Sequence, residues 1–284
     1  MQITESNYFS KEVANKYLDV STFKDFVGIP ARQGCECRAM AKLKGEYEEE
    51  KSQALLMGSL VDEMLLGTKD SLEKFMSENP QLYSSRGATK GLLKSEYQRA
   101  NQMVERARQD EKFMRYLDGE HQKIMTGTIF GVDWRIKIDN YIENKAIVDL
   151  KTAESIRKSY YSADTGRTNL IVYFDYILQS AIYQEIVFQN TGKRLPFYFA
   201  ILSKEAITDL EVVCIDNETL HERIYGNEFN TGIADQVQNI RLIMNGEIEP
   251  TECGRCAYCL PRKKIVRAIH FTELEGELNW FTKY

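Results

Sequence analysis

No run of 18 apolar residues occurs in the chain, so it offers no candidate for a membrane-spanning helix. Its first residues, MQITESNYFS, lack a basic start and an apolar stretch, so no secretory leader is expected there and the cytoplasm is the expected compartment. Only three histidines are present, His121, His221 and His270. They share no spacing with one another or with the acidic motifs, so they read as structural, and no Ser-His-Asp order is present. P-loops, glycine-rich dinucleotide loops, internal repeats and low-complexity segments are also missing. Nor is there a surplus of positive charge. The net charge of -5 argues against indiscriminate binding of polyanions, so contact with nucleic acid has to come from local basic groups.

What remains is an ordinary globular composition, 284 residues with 43% hydrophobic and 28% charged, able to bury a large core. That length is long for one domain and short for two. A single domain over 1–284 is expected, with an N-terminal helical segment (about 1–120) and a Cys-rich tail (about 248–284) packed on the core.

The stretch from Trp134 to Thr152, WRIKIDNYIENKAIVDLKT, carries the chemistry. It alternates about Ile136, Ile138 and Tyr141, turns at Glu143-Asn144-Lys145 and resumes as Ala146 to Leu150, the pattern of a β-hairpin. With a side-chain period of two, Asp149 and Lys151 share one face of the second strand, expected to carry charge, and Val148 and Leu150 share the other, apolar one. Asp139, just before the turn, adds a second carboxylate. Mg²⁺ takes oxygen ligands and keeps several waters, so Asp139, Asp149 and the backbone carbonyl of Leu150 suit it. Lys151 is placed to orient or deprotonate the attacking water and to offset charge on a phosphate.

Two flanking helices add to this. Ala54 to Leu66 places Gly58 and Asp62 one turn apart, with Glu63 as the competing acid. Val172 to Gln189, closed by Thr191-Gly192, places Gln179 and Tyr183 on one face. The order GxxxD, ID-x9-DLKT, QxxxY and then CxxCxxC (Cys253, Cys256, Cys259), over roughly residues 20–265, resembles the PD-(D/E)XK nuclease superfamily. Within it, the order is most similar to phage and prophage RecE-type exonucleases (exodeoxyribonuclease VIII-like) and, more distantly, to lambda exonuclease. RecB-like and RecE-type nucleases carry GxxxH where this chain has Gly58-Ser-Leu-Val-Asp62. Aspartate for histidine keeps a ligand and hardens the site toward Mg²⁺ or Mn²⁺.

The resemblance implies an α/β (α+β) fold with a restriction-endonuclease-like core, a central mixed β-sheet flanked by helices. It implies a metal-dependent exonuclease, 5'-to-3' on double-stranded DNA with free ends, leaving 3' single strands for recombination through a RecT-like annealing protein. It also implies Asp62 as a metal ligand, Gln179 and Tyr183 as nucleic-acid contacts supporting the site, a phage or prophage origin, and the ring-shaped homo-oligomers known in relatives. Two other functions fit the residues. One is an iron-sulfur nuclease acting on single-stranded DNA or ends, and the other is a non-catalytic DNA-binding protein on a nuclease fold.

Six cysteines form a second signal, since a cytoplasmic chain does not oxidise them to disulfides. Cys214 lies in an apolar strand and reads as core. Cys253, Cys256 and Cys259 form a CxxCxxC triplet that needs a fourth ligand, Cys35 or Cys37. One N-terminal cysteine and three after the core is also the layout of iron-sulfur nucleases of the AddB type and of CRISPR adaptation. A [4Fe-4S] cluster, a structural Zn²⁺ or no metal all remain open, and the metal's role would be to staple the tail to the N-terminal helices.

Further expectations are coarser. Cys35 to Gly45 is a short helix, Thr89 to Leu117 a helix or helix pair, Lys123 to Gly131 a strand, and Pro196 to Leu202 with Leu210 to Ile215 a strand pair. Asn217 to Met244 is helical with breaks near Gly226 and Gly232. Ala153 to Asn169 reads as a loop bordering a DNA channel. Lys204 and Glu205 lie where they could assist the site, and Arg262, Lys263, Lys264 and Arg267 form a basic cluster suited to backbone phosphates.

Overall fold

The alternation along residues 120–153 builds the centre of the molecule, and the computed structural model describes residues 2–50 and 52–270 of it. In chain order the elements begin with α1 (Lys11–Lys16), α2 (Val20–Val27), the two-residue strands β1 (Gly28–Ile29) and β2 (Arg32–Gln33), α3 (Glu36–Lys44), α4 (Gln53–Leu66) and α5 (Lys69–Glu78). Then come α6 (Ser95–Arg108), α7 (Glu111–Tyr116), β3 (Glu120–Ile129), β4 (Val132–Ile142), β5 (Ala146–Ala153), β6 (Tyr160–Ser162) and β7 (Gly166–Thr168). The chain continues through α8 (Leu170–Tyr173), α9 (Tyr176–Thr191), β8 (Phe197–Ser203), β9 (Leu210–Ile215), α10 (Asn217–Tyr225) and α11 (Ala234–Met244).

Strands β3, β4, β5, β8 and β9 form one sheet in that order, antiparallel except for the parallel pair β5–β8, so the sheet is mixed as expected. The parallel step follows from the long crossover through α8 and α9, which a tight hairpin cannot supply. Both faces of the central strands are covered. Ile147, Phe197, Phe199 and Ile201 pack beneath Leu178, Ala181, Ile182 and Ile186 of α9. Val148, Leu150, Ala200 and Leu202 pack against Leu56, Leu60 and Val61 of α4 and Ala100 and Met103 of α6. The expectation that one face of β5 is simply charged is therefore corrected: Asp149 and Lys151 stand on a face that also holds Ile147 and lies under a helix. No described helix is long and apolar enough to cross a membrane.

Three other expectations change. The predicted loop 153–169 contains the β6–β7 hairpin, closed by Gly166 at φ 65°. The predicted helix 172–189 breaks between α8 and α9, where Asp175 adopts a left-handed φ of 47° and caps α9 by accepting Leu178 N–H at 3.2 Å. Cys214 is exposed on β9, an edge strand, and is not core. The helical breaks near Gly226 and Gly232 are present between α10 and α11, and the 89–117 pattern is a helix pair, α6 and α7. Of the predicted Cys-rich tail, 271–284 lie outside the described residues.

Candidate active site and cysteine centre

Pairing between β4 and β5 ends at Asn140↔Val148, and the two strands part beyond it. In the gap, Asp139 Oδ2 accepts the Leu150 N–H at 3.0 Å. A strand residue points its N–H and C=O to the same side, so the Leu150 carbonyl opens into this gap while the Leu150 side chain stays anchored in the core. Asp149, 3% exposed, is held from α9: Gln179 Nε2 donates to its Oδ1 at 2.5 Å, and Lys151 Nζ pairs with its Oδ2. Tyr183, one turn on from Gln179, donates its hydroxyl to the Lys137 carbonyl at 3.2 Å.

From the other side of the sheet, α4 brings Asp62 into the same cleft. Glu63, the competing acid, is tied to α5 by Ser71 Oγ at 2.7 Å and is absent from the cleft lining. The glycine one turn earlier has a local reason, because a Cβ at Gly58 would stand 3.2 Å from Thr152 Oγ1 at the end of β5.

The electrostatics follow from crowding acids at a half-buried floor. Burial pushes Asp62 up to about 7, reinforced by Asp149 and Glu63 and opposed by Lys151 and Lys137. Burial also holds Asp139 well above the usual carboxylate range, with Asp149 and Asp62 adding to it. Burial alone pulls the Lys151 ammonium down, but the Asp149 carboxylate outweighs this and holds it above the ordinary lysine value. Oxygen-only donors short of positive charge fit a small hard cation such as Mg²⁺ or Mn²⁺. Gln179 and Lys151 each take one oxygen of Asp149, which leaves a second lone pair on each oxygen free for a cation.

The cleft has a volume of about 1080 Å³, and six lysines line it, Lys11, Lys24, Lys42, Lys137, Lys151 and Lys204, in a chain of net charge -5. Lys24, 9% exposed on α2, donates to the Phe174 carbonyl at 2.9 Å, and burial pulls its pKa down to about 8. Its ammonium and that of Lys151 lie 5.7 and 5.2 Å from the centre of the Tyr176 ring. Lys24, Lys137 and Tyr176 escaped the sequence reading. Lys137 alone had a signal, two residues before Asp139 on one strand face. Lys204 lines the cleft, and Glu205 does not; the Glu205 carbonyl accepts Arg99 Nη1 at 3.1 Å. Arg262, Lys263, Lys264 and Arg267 do not line it either.

Cys35, Cys253, Cys256 and Cys259 meet with all four sulfurs within 4.8 Å of one another, a set that could hold a metal. Cys35 caps α3, its Sγ accepting Arg38 N–H at 3.4 Å and lying 3.5 Å from Cys259 Sγ. Cys37 turns away to the Pro250 carbonyl at 3.1 Å, so the fourth member is Cys35. The tail is fastened nearby, with Glu36 accepting from Thr251 N–H at 2.8 Å and from Asn239 Nδ2 at 2.8 Å. Burial opposes ionisation of Cys253, but N–H donors from Arg255 and Cys256 outweigh it and bring the thiol down to about 6, while burial pushes Cys35 up to about 12.

No curated protein matches this chain significantly. A crystal structure from Eubacterium rectale described as "Putative exonuclease" is similar to it at 37% identity and a TM-score of 0.88, covering 98% of this chain and 100% of that one. The model for a PDDEXK-like domain of unknown function (DUF3799) matches residues 19–262. The chain belongs to that PDDEXK-like family.

Proposed function

We propose that the protein is a metal-dependent exonuclease that hydrolyses phosphodiester bonds of DNA, working 5'-to-3' from the ends of double-stranded DNA to leave 3' single strands. The observation that carries this reading is the meeting of Asp62, Asp139, Asp149 and Lys151: Asp62 and Lys151 line one lysine-rich cleft, and Asp139 and Asp149 lie just behind its wall, bonded to the lining residues Leu150, Gln179 and Lys151. The PDDEXK-like family and the similar structure described as "Putative exonuclease" support the nuclease class. Polarity, duplex preference, handover to a RecT-like annealing protein and a phage origin extend that reading from the sequence resemblance.

Asp62, Asp139, Asp149 and the Leu150 carbonyl hold Mg²⁺ or Mn²⁺ in this reading, and the bound cation supplies Lewis acidity toward the phosphate and acidifies water. Lys151, kept charged by Asp149, places a positive charge against the phosphate oxygens as the bond breaks. Gln179 fixes the rotamer of Asp149, and Tyr183 fixes the backbone at Lys137. End-labelled duplex incubated with Mg²⁺ is expected to lose nucleotides from its 5' ends, and Asp149→Ala or Lys151→Ala to abolish this without unfolding the protein. Wild-type protein that digests no DNA in Mg²⁺ or Mn²⁺ overturns the proposal and favours plain DNA binding.

For the cysteines, four sulfurs gathered within 4.8 Å of one another support a single tetrahedral Zn²⁺, with a [4Fe-4S] cluster as the alternative. Either centre would tie the start of α3 to residues 253–259. Metal analysis with a visible spectrum of anaerobically purified protein separates them: zinc is colourless, and iron absorbs broadly.

A further inference from the structure

Phe9 presents its ring at the rim of the cleft, 76% exposed. A single exposed aromatic is ordinary, but this one is held in place from below. Buried Arg135 donates through Nη1 to the Tyr8 carbonyl at 2.5 Å and sets its guanidinium 4.7 Å from the centre of the Tyr8 ring. Asp19 fixes that guanidinium in turn, Nη2 to Oδ2 at 2.7 Å. Tyr8 meets Phe9 edge to face, with centroids 4.9 Å apart and planes at 81°. The exposed ring is thus carried on a dipeptide fastened to β4.

Beside it stands Lys137, its Nζ 5.2 Å from the Phe9 centroid and 5.8 Å from that of Tyr8. Lys137 precedes Asp139 by two residues on β4, so the two share a face about 7 Å apart along the strand. One step from the acids, the cleft therefore offers an ammonium and an exposed aromatic ring. The hydrolytic residues leave both unused. A flat apolar ring next to an anion is the ligand this pair matches, which is the chemistry of a nucleotide base and its phosphate.

We propose that Phe9 and Lys137 form a nucleotide subsite next to the scissile position, in which Phe9 stacks on an unpaired base and Lys137 meets the adjoining phosphate. This rests on the nuclease reading and deepens it. A base stacked on Phe9 has left its partner, so the strand lies single in this part of the cleft. Every base has a face to offer, so the subsite is tolerant of sequence.

Anisotropy of a fluorescein-labelled single-stranded oligothymidylate, in Ca²⁺ in place of Mg²⁺, tests this together with copies carrying one abasic site at successive positions. Phe9→Ala is expected to weaken binding about tenfold, the size of one lost base–aromatic stack, and Phe9→Trp to retain it. One abasic position should weaken wild-type binding by a similar factor and add nothing in Phe9→Ala. Lys137→Ala should flatten the salt dependence by about one phosphate contact. If Phe9→Ala binds like wild type, or every abasic penalty is the same in both proteins, the subsite is overturned. Wild-type DNA digestion in Mg²⁺ alongside that result leaves the nuclease reading standing. No digestion and no probe binding by wild type sinks both.

Discussion

Gln179 Nε2 lies 2.5 Å from Asp149 Oδ1, so α9 reaches back across the sheet and fixes a carboxylate on β5. The contact is possible because α9 follows β5 through a right-sized crossover and begins at the capped break of Asp175, whose carboxylate is itself clamped by Arg223 at 2.7 Å. Gln179→Leu keeps the helix but frees Asp149 to rotate. Activity is expected to fall roughly 10- to 100-fold with a higher Mg²⁺ requirement and little change in melting temperature, as for other residues that orient metal ligands. An unchanged Mg²⁺ titration would separate Gln179 from the metal site.

Asp62 gives the metal-free protein a characteristic pH dependence. A carboxylate whose folded pKa lies above its ordinary value favours the fold while it is protonated, and that contribution is lost as the pH rises through the folded value. For Asp62 the window runs from 3.8 to about 7, because burial raises it. Without divalent metal, wild type should therefore lose stability between about pH 4 and pH 7 relative to Asp62→Asn, checked by paired thermal melts across that range. Mg²⁺ should restore more stability at the upper end, where the acids are ionised. Parallel curves for the two proteins would contradict the assignment.

Gly58 and Thr152 are predicted to be coupled. Alanine in mid-helix gains about 1 kcal/mol over glycine, but a Cβ at Gly58 presses on Thr152 Oγ1 at 3.2 Å. Gly58→Ala should gain stability in a Thr152→Ala background and gain less, or lose, in the wild-type one. Denaturant melts of the four proteins measure the difference, and equal effects in both backgrounds rule out the contact.

The two N-terminal cysteines should behave differently. Cys35→Ser is expected to lower metal per chain, and the melting temperature by several degrees, because Cys35 joins the start of α3 to the triplet in a set that could hold a metal. Cys37→Ser, which loses only a contact to the Pro250 carbonyl, should keep metal content and stability near wild type. Metal per chain and thermal melts decide it; equal loss from both variants would be inconsistent with the geometry.

The parts legible in the sequence are those fixed by spacing along one element. Asp149 and Lys151 on one strand, Gly58 and Asp62 one helical turn apart, Gln179 with Tyr183, and the CxxCxxC triplet all sit where their periods place them. The mixed sheet was legible because the hairpin, crossover helix and strand pair come in that order. What stayed hidden depends on contacts between distant segments. Lys24 reaches the site only because α2 folds beside Phe174, 150 residues away in the chain. The β6–β7 hairpin has too short and polar a pattern to announce itself, and the left-handed Asp175 breaks a helix whose apolar period runs through it. Spacing alone does not separate Cys35 from Cys37; the fold does, by turning the Cys37 thiol to the Pro250 carbonyl.

Asp62, Asp139 and Asp149 are expected to share a cation in the gap between β4 and β5. Crystals soaked in Mn²⁺ and measured at the manganese edge test it most directly. An anomalous peak is expected in that gap, roughly 2.1 Å from carboxylate oxygens and the Leu150 carbonyl, the distance of a small hard cation. An empty gap under Mn²⁺ concentrations that support DNA digestion, or a peak held by other acids, would contradict it.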